Sequence, residues 1–140
     1  MIVSDTNTIV YLLMPSPGAT ENAEEVLRWD PDWRAPALWR SEFRNVLWLV
    51  MRRKEMSLSD VLKIMAQADD IVRDSGAGVT SEAVLRLAAD SGCSPYDCEF
   101  AALARELRCP LITSDRTLLR AFPELAFTPR GFAELRRLQR

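Results

Sequence analysis

Four acidic residues stand out by where they fall: Asp5, Glu42, Asp97 and Asp115. Asp5 closes the apolar run Ile2-Val3-Ser4, and Asp115 follows Pro110-Leu111-Ile112-Thr113-Ser114. Asp97 falls in the first turn of a helix that begins at Tyr96, and Glu42 falls on an amphipathic segment. Each alone has an ordinary explanation. A strand-end Asp often caps the next helix, a first-turn Asp is favoured by the helix dipole, and a helical Glu usually faces water. Together they offer a chemistry. Thr6 and Asn7 add oxygen donors beside Asp5, Thr113 and Ser114 add two hydroxyls beside Asp115, and Asn45 shares a helical face with Glu42. Hard oxygen donors of this kind suit Mg2+ or Mn2+ rather than zinc. Clustered carboxylates raise one another's pKa unless a cation neutralises them, so such a cluster implies a metal.

The chain has no histidine. This removes histidine general bases, Ser-His-Asp and Cys-His nucleophiles, and His-rich zinc sites. Any hydrolysis must run on carboxylates, hydroxyls, Lys, Arg, Cys or a bound metal.

The elements that must position these acids alternate between strand and helix. A strand over Ile2–Ser4 is followed by a helix over Thr6–Leu13, stopped by Met14-Pro15-Ser16-Pro17-Gly18. Thr20 is expected to cap the second helix. Trp33–Leu38 reads as a strand, with Pro36 pointing to a sheet edge. Leu38–Arg53 is amphipathic, with Leu38, Phe43, Val46, Leu47 and Val50 at helical spacing. Ser57 opens the next helix, ended by Gly76 and Gly78. Val79-Thr80 reads as a short strand, and Ser81 caps a helix through Ala89. Helices over Tyr96–Leu107, Arg116–Ala121 and Gly131–Leu138 complete the pattern, with a buried strand at Pro110–Thr113. This alternation predicts a three-layer α/β/α domain with a central, mainly parallel sheet. In such sheets ligands sit beyond the carboxyl ends of the strands, where Asp5 and Asp115 fall.

A length of 140 residues fits one domain spanning residues 1–140. No apolar run is long enough for a bilayer, and Met-Ile-Val-Ser-Asp is not a secretion signal, so the expected location is cytoplasmic. Cys93, Cys98 and Cys109, an odd number, argue against a disulfide framework. The net charge of −2 is not that of a typical nucleic-acid binder. Basic residues do gather, at Arg40, Arg44, Arg52, Arg53 and Lys54 and at Arg130, Arg136, Arg137 and Arg140. They read as solvated helix faces, or as basic flanks to an acidic pocket working on a phosphate backbone.

The segments Val3-Ser4-Asp5-Thr6-Asn7, Ser41-Glu42-Phe43-Arg44-Asn45-Val46-Leu47, Tyr96-Asp97-Cys98-Glu99-Phe100-Ala101-Ala102-Leu103-Ala104 and Pro110-Leu111-Ile112-Thr113-Ser114-Asp115-Arg116-Thr117-Leu118-Leu119 occur in this order. With that order and spacing the chain resembles PIN domains, and more narrowly the VapC-type toxin ribonucleases of toxin–antitoxin pairs. The resemblance covers residue 1 to about residue 125. It implies that Asp5, Glu42, Asp97 and Asp115 are the catalytic and metal-binding acids, with Asp5 and Asp97 the most direct ligands. Thr6, Asn7 and Ser114 match supporting polar positions. It also implies a Mg2+- or Mn2+-dependent endoribonuclease of the toxin type, cutting single-stranded or loop RNA. The implied partners are an antitoxin protein, whose arginine reaches the acidic pocket, and a second copy of the chain in a homodimer. Trp29, Trp33, Trp39 and Trp48 fit either core packing or such interfaces.

Other readings stand beside this one. A scaffold of the same fold without catalysis would need no metal. A phosphatase of a doubly wound sheet usually shows a phosphate-cradling glycine loop, or a second Asp two residues after the nucleophile. Here residue 7 is Asn, and no such loop is present. DNA remains open as a substrate, because carboxylates do not demand a 2′-hydroxyl.

Overall fold

A computed structural model describes residues 1–74 and 78–140. Its first strand, β1 (Ile2–Ser4), is wholly buried and runs into α1 (Thr6–Leu13). Then follow α2 (Ala19–Trp29), β2 (Trp33–Ala35), α3 (Leu38–Arg52), α4 (Leu58–Ile71) and β3 (Val72–Asp74). The second half holds α5 (Ser81–Ser91), α6 (Pro95–Leu107), β4 (Leu111–Ile112), α7 (Arg116–Ala121), β5 (Ala126–Phe127) and α8 (Pro129–Leu138).

All pairings are parallel, and the strand order is β3-β2-β1-β4-β5. The chain steps outward from β1 to β3, then crosses back to β4 on the other side of β1. By the right-handed crossover rule, α1 to α4 are expected on one face of the sheet and α5 to α7 on the other. α1 packs on α2, α3 and α4, while α5 packs on α6, which lies against β1 and β4. α8 returns to α2. The sheet core is apolar on both sides, with Ile2, Val3, Trp33, Leu111 and Ile112 fully buried, as expected of strands covered on both faces.

Several elements differ from expectation. The cap of α2 is Gly18 at φ 81, a left-handed backbone that suits glycine. Thr20 lies inside the first turn, and its hydroxyl instead ties the preceding loop, accepting from Ser16 N and donating to the Tyr11 carbonyl. β2 is an interior strand, because Pro36 falls just beyond it and removes no ladder donor. α4 ends at Ile71 and passes directly into β3, which pairs with β2. Gly78 therefore does not end it, and Gly76 lies outside the described residues. Val79-Thr80 is not a strand, because Thr80 is the cap of α5, its hydroxyl accepting from Ala83 N at 3.1 Å.

The tryptophans divide. Trp33 and Trp39 are fully buried, Trp39 tilted against Phe43 at 5.9 Å, while Trp48 is 49% exposed. The basic C-terminus is mostly engaged within the fold. Arg137 pairs with Glu25, Arg136 approaches Asp30, Arg130 pairs with Glu134, and the Arg140 guanidinium lies over the Trp29 ring. All three cysteines are free and buried. Among the described residues no helix is long and apolar enough to cross a membrane.

Candidate active site

The register of the central strands builds the site. Val3 pairs with Leu111 and Ser4 with Ile112, so the next residues, Asp5 and Thr113, leave the sheet side by side. Asp5 N donates to the Ile112 carbonyl at 3.0 Å. The Thr113 hydroxyl donates to Asp5 Oδ2 and accepts from Asp115 N at 3.0 Å. One buried threonine thus connects the two strand-end acids. It sits where the strand order reverses, the position at which open α/β sheets bind ligands.

The two strand-end acids also cap helices. Asp5 Oδ1 accepts from Thr8 N at 2.8 Å and the Thr8 hydroxyl at 2.7 Å. Asp115 Oδ1 accepts from Thr117 N at 2.7 Å and Leu118 N at 3.1 Å. Capping and ligation are therefore compatible readings of one side chain: the cap occupies one oxygen and orients the other. Glu42 comes from α3, where Oε1 accepts from the Thr6 hydroxyl at 2.9 Å. Asp97 comes from the first turn of α6, fixed by Ser94, whose hydroxyl accepts from Asp97 N at 3.1 Å. The same Ser94 side chain favours the charged form of the Asp97 carboxyl.

These four acids line one cleft of about 440 Å³, with Thr6, Asn7, Ser41, Asn45, Val46, Phe100 and Leu118. Of the site residues expected from sequence, Ser114 alone is outside it and is exposed. Thr8, which sequence reasoning did not assign, and Thr113, which it placed beside Asp115 and not beside Asp5, hold both Asp5 carboxylate oxygens. The signal for Thr113 was its place opposite Asp5 in the register, which becomes visible only once the strands are paired.

Charge is held here at a cost. Burial pushes the Asp5 carboxyl above its ordinary value, against hydrogen bonds from Thr113 and Thr8, and Asp115 adds to the push. Glu42 is raised by burial, against the Thr6 hydrogen bond, with further pushes from Asp97, Asp5 and Glu99. Asp97 is raised by burial and then by Asp115, against a hydrogen bond with Ser94.

Among the described residues, no three His, Cys, Asp or Glu side chains already stand together as a metal cluster. The donor chemistry nonetheless fits a hard divalent cation. Four carboxylates share one cleft, three are destabilised by burial and mutual charge, and Asp115 Oδ2 and Glu42 Oε2 have no described donor. A cation there would relieve the charge that the fold leaves uncompensated.

Thr113→Val tests the framework. Valine keeps the shape but leaves Asp5 Oδ2 and Asp115 N without their partner. The expected loss is about 1–3 kcal/mol of stability, read as a lower urea midpoint. An unchanged midpoint would show that the hydroxyl carries no weight.

The fold is similar to that in the crystal structure of PAE2754 from Pyrobaculum aerophilum. The identity is 18%, 99% of this chain and 90% of that chain are covered, and the TM-score is 0.75. It is also similar to FitAcB from Neisseria gonorrhoeae, at 20% identity, 92% and 98% coverage of the two chains, and a TM-score of 0.60. A structure of FitAB bound to an IR36 DNA fragment gives 19% identity, 93% and 96% coverage, and a TM-score of 0.59. At these identities the likeness speaks for the fold. Comparison with curated proteins gives no match. Residues 2–125 match the PIN domain family, over a span that includes β1 to β4, the switch point and all four cleft acids, and the chain belongs to that family.

Proposed function

We propose that this chain is a Mg2+- or Mn2+-dependent endoribonuclease acting on single-stranded or loop RNA, and the toxin of a type II, VapC-type toxin–antitoxin pair. PIN domains are generally nucleases. One observation carries the reading: Asp5, Glu42, Asp97 and Asp115, from elements far apart in sequence, line one cleft at the carboxyl end of a parallel sheet. A divalent ion held by these carboxylates would supply Lewis acidity toward water and the phosphodiester.

The chain's own groups have distinct tasks. Thr8 and Thr113 hold Asp5 in one orientation. The amides of α7 hold Asp115, and Thr6 holds Glu42. Glu42 Oε2 has no described donor, so it is available to hold the ion or to accept a proton from water. The unneutralised cleft repels a phosphate backbone, so substrate entry and cation binding are coupled.

The same negative cleft is complementary to a guanidinium, which supports an antitoxin that inserts an arginine. Trp48 on α3, with Leu58 and Leu62 on α4, leaves apolar area exposed that an antitoxin or a second copy in a homodimer would cover. A cytoplasmic location goes with this role.

The test is cleavage of a panel of short RNAs, with single-stranded DNA alongside because a neighbouring fold is known bound to DNA. Cutting of RNA in Mg2+ or Mn2+, abolished by EDTA, is the expected result. Cutting that survives EDTA would overturn the metal dependence. A folded protein that binds Mn2+ yet cuts nothing across the panel would favour the scaffold reading.

A further inference from the structure

The face of α3 that lines the acidic cleft continues past it. From this helix Ser41, Glu42, Asn45 and Val46 line the cleft. With about 3.6 residues per turn, Ser41, Asn45, Trp48 and Arg52 fall within about 60° of one another on the helix surface, and all four are exposed. Trp48 stands about 4.5 Å along the axis beyond Asn45, and Arg52 about 6 Å beyond Trp48. The stripe thus leads out of the cleft to an indole and then to a guanidinium. The Arg52 guanidinium lies over the Trp48 ring, 5.4 Å from its centroid. Arg44, also exposed, flanks the ring one turn back.

Charge sets this stripe apart. Arg40, nearer the start of α3, is tied to Asp69 at 2.9 Å and to Asp74 at 2.6 Å. Among the described residues Arg44 and Arg52 pair with no carboxylate. The helix dipole favours a cation in the last turn. That accounts for Arg52, but not for Arg44 in mid-helix, nor for a ring left 49% exposed while Trp33 and Trp39 are fully buried. Two guanidiniums on either side of an exposed indole match a nucleic-acid strand, whose phosphates take the cations and whose base takes the ring. An apolar protein surface would cover the ring and leave both cations unmet. The acids repel phosphate wherever no cation stands between, so the grip on the rest of a strand has to come from beside the cleft. A base stacked on the indole must be unpaired, which selects a single strand over a duplex.

We propose that Arg44, Trp48 and Arg52 form a track for single-stranded RNA, in which Trp48 stacks a base of the strand just outside the acidic cleft and the two arginines hold its phosphates. This deepens the nuclease reading and rests on it for the place of the cut, but the track itself can be read without turnover.

The probe is a short oligouridylate, titrated in Mg2+ into full-length protein carrying Asp97→Asn so that the strand stays whole. Binding is expected to quench tryptophan emission, and the same strand paired with oligoadenylate to leave the emission unchanged. Adding Trp48→Ala is expected to remove the quench and to weaken binding, read by anisotropy of a labelled strand, on the order of tenfold. Trp48→Tyr is expected to restore most of the affinity. Arg44→Gln and Arg52→Gln are each expected to lower the slope of log affinity against log salt by about 0.7. In the cleavage assay, Trp48→Ala in otherwise wild-type protein is expected to raise KM by a similar factor.

Equal affinity in the Trp48→Ala protein, a quench by the duplex as deep as by the single strand, or salt slopes unchanged in both arginine variants would each overturn the track. Loss of self-association in Trp48→Ala with RNA affinity unchanged would give the ring to a second copy and overturn it too. Binding with the expected signatures by a protein that cleaves nothing would overturn the nuclease reading and support the track. Metal-dependent cleavage with an unchanged KM in Trp48→Ala would do the reverse.

Discussion

Replacing Asp97 with asparagine is expected to lower RNA cleavage by on the order of a thousandfold or more while leaving the fold intact. The fold has little need of this carboxylate. Its backbone amide is already anchored by the Ser94 hydroxyl, and among the described residues the carboxylate is tied to no side chain other than that same Ser94. A helix dipole favours negative charge in the first turn, but burial and the Asp115 charge outweigh it, and the carboxyl is pushed above its ordinary 3.8. The sign for stability follows. With the native pKa raised, the native state holds more protons than the unfolded state as pH climbs from 3.8 through the native value, so stability falls across that window. Asp5 and Glu42 act in the same direction. Asp32 and Asp60 are held below their ordinary values, by Arg34 and by the Ser57 cap, and titrate beneath the window. In EDTA the wild type should therefore melt at a higher temperature at mildly acidic pH than at neutral pH. An amide in place of the carboxyl carries no charge, so Asp97→Asn should melt no lower at neutral pH and depend less on pH. Thermal melts across pH, run beside the cleavage assay, separate lost chemistry from lost folding. A variant that folds and cleaves at the parent's rate would remove Asp97 from the site.

Trp33→Ala is expected to cost about 3–5 kcal/mol, a large share of the roughly 5–15 kcal/mol that typically holds a domain together. Trp33 lies on β2 between β1 and β3, with no exposed surface. Its indole N–H donates to the Asp30 carbonyl at 2.9 Å, so alanine leaves a cavity and a buried acceptor unmet. Trp48→Ala, at a half-exposed ring, is the control and should shift stability by about 0.5 kcal/mol or less. Urea unfolding of both decides it. If Trp48→Ala destabilised more than Trp33→Ala, the placement of β2 at the sheet interior would be wrong.

How much of this was legible depended on the length of each signal. α3 and α7 emerge close to their observed bounds, because Phe43, Val46, Leu47 and Val50 repeat at helical spacing and Asp115 marks a start. β3 and β5 left no such trace. Val72-Arg73-Asp74 has no apolar alternation and becomes a strand only by pairing with β2, while Ala126-Phe127 is too short for any periodicity. Val79 and Thr80 misled because β-branched residues suit strands, yet a threonine also suits a helix cap. Pro36 misled because its effect depends on whether it falls inside a strand or one residue after it. The four acids were found through their motifs, and their meeting in one cleft follows from strand order, which no local pattern encodes. Thr113 was legible as a hydroxyl beside Asp115, but its bond to Asp5 was not, because the two become neighbours only when β1 and β4 pair.

The pairing of β1 with β4 also sets when the cleft can exist. The hydroxyl that orients Asp5 is made 108 positions after it. Until β4 has been synthesised, the edge of β1 that it occupies lacks its partner, and Asp5, Glu42 and Asp97 lack the strand that brings Asp115 to them. A protein proposed to cut RNA thus cannot complete its cleft on a nascent chain before that strand appears, an order written into the sequence of its strands.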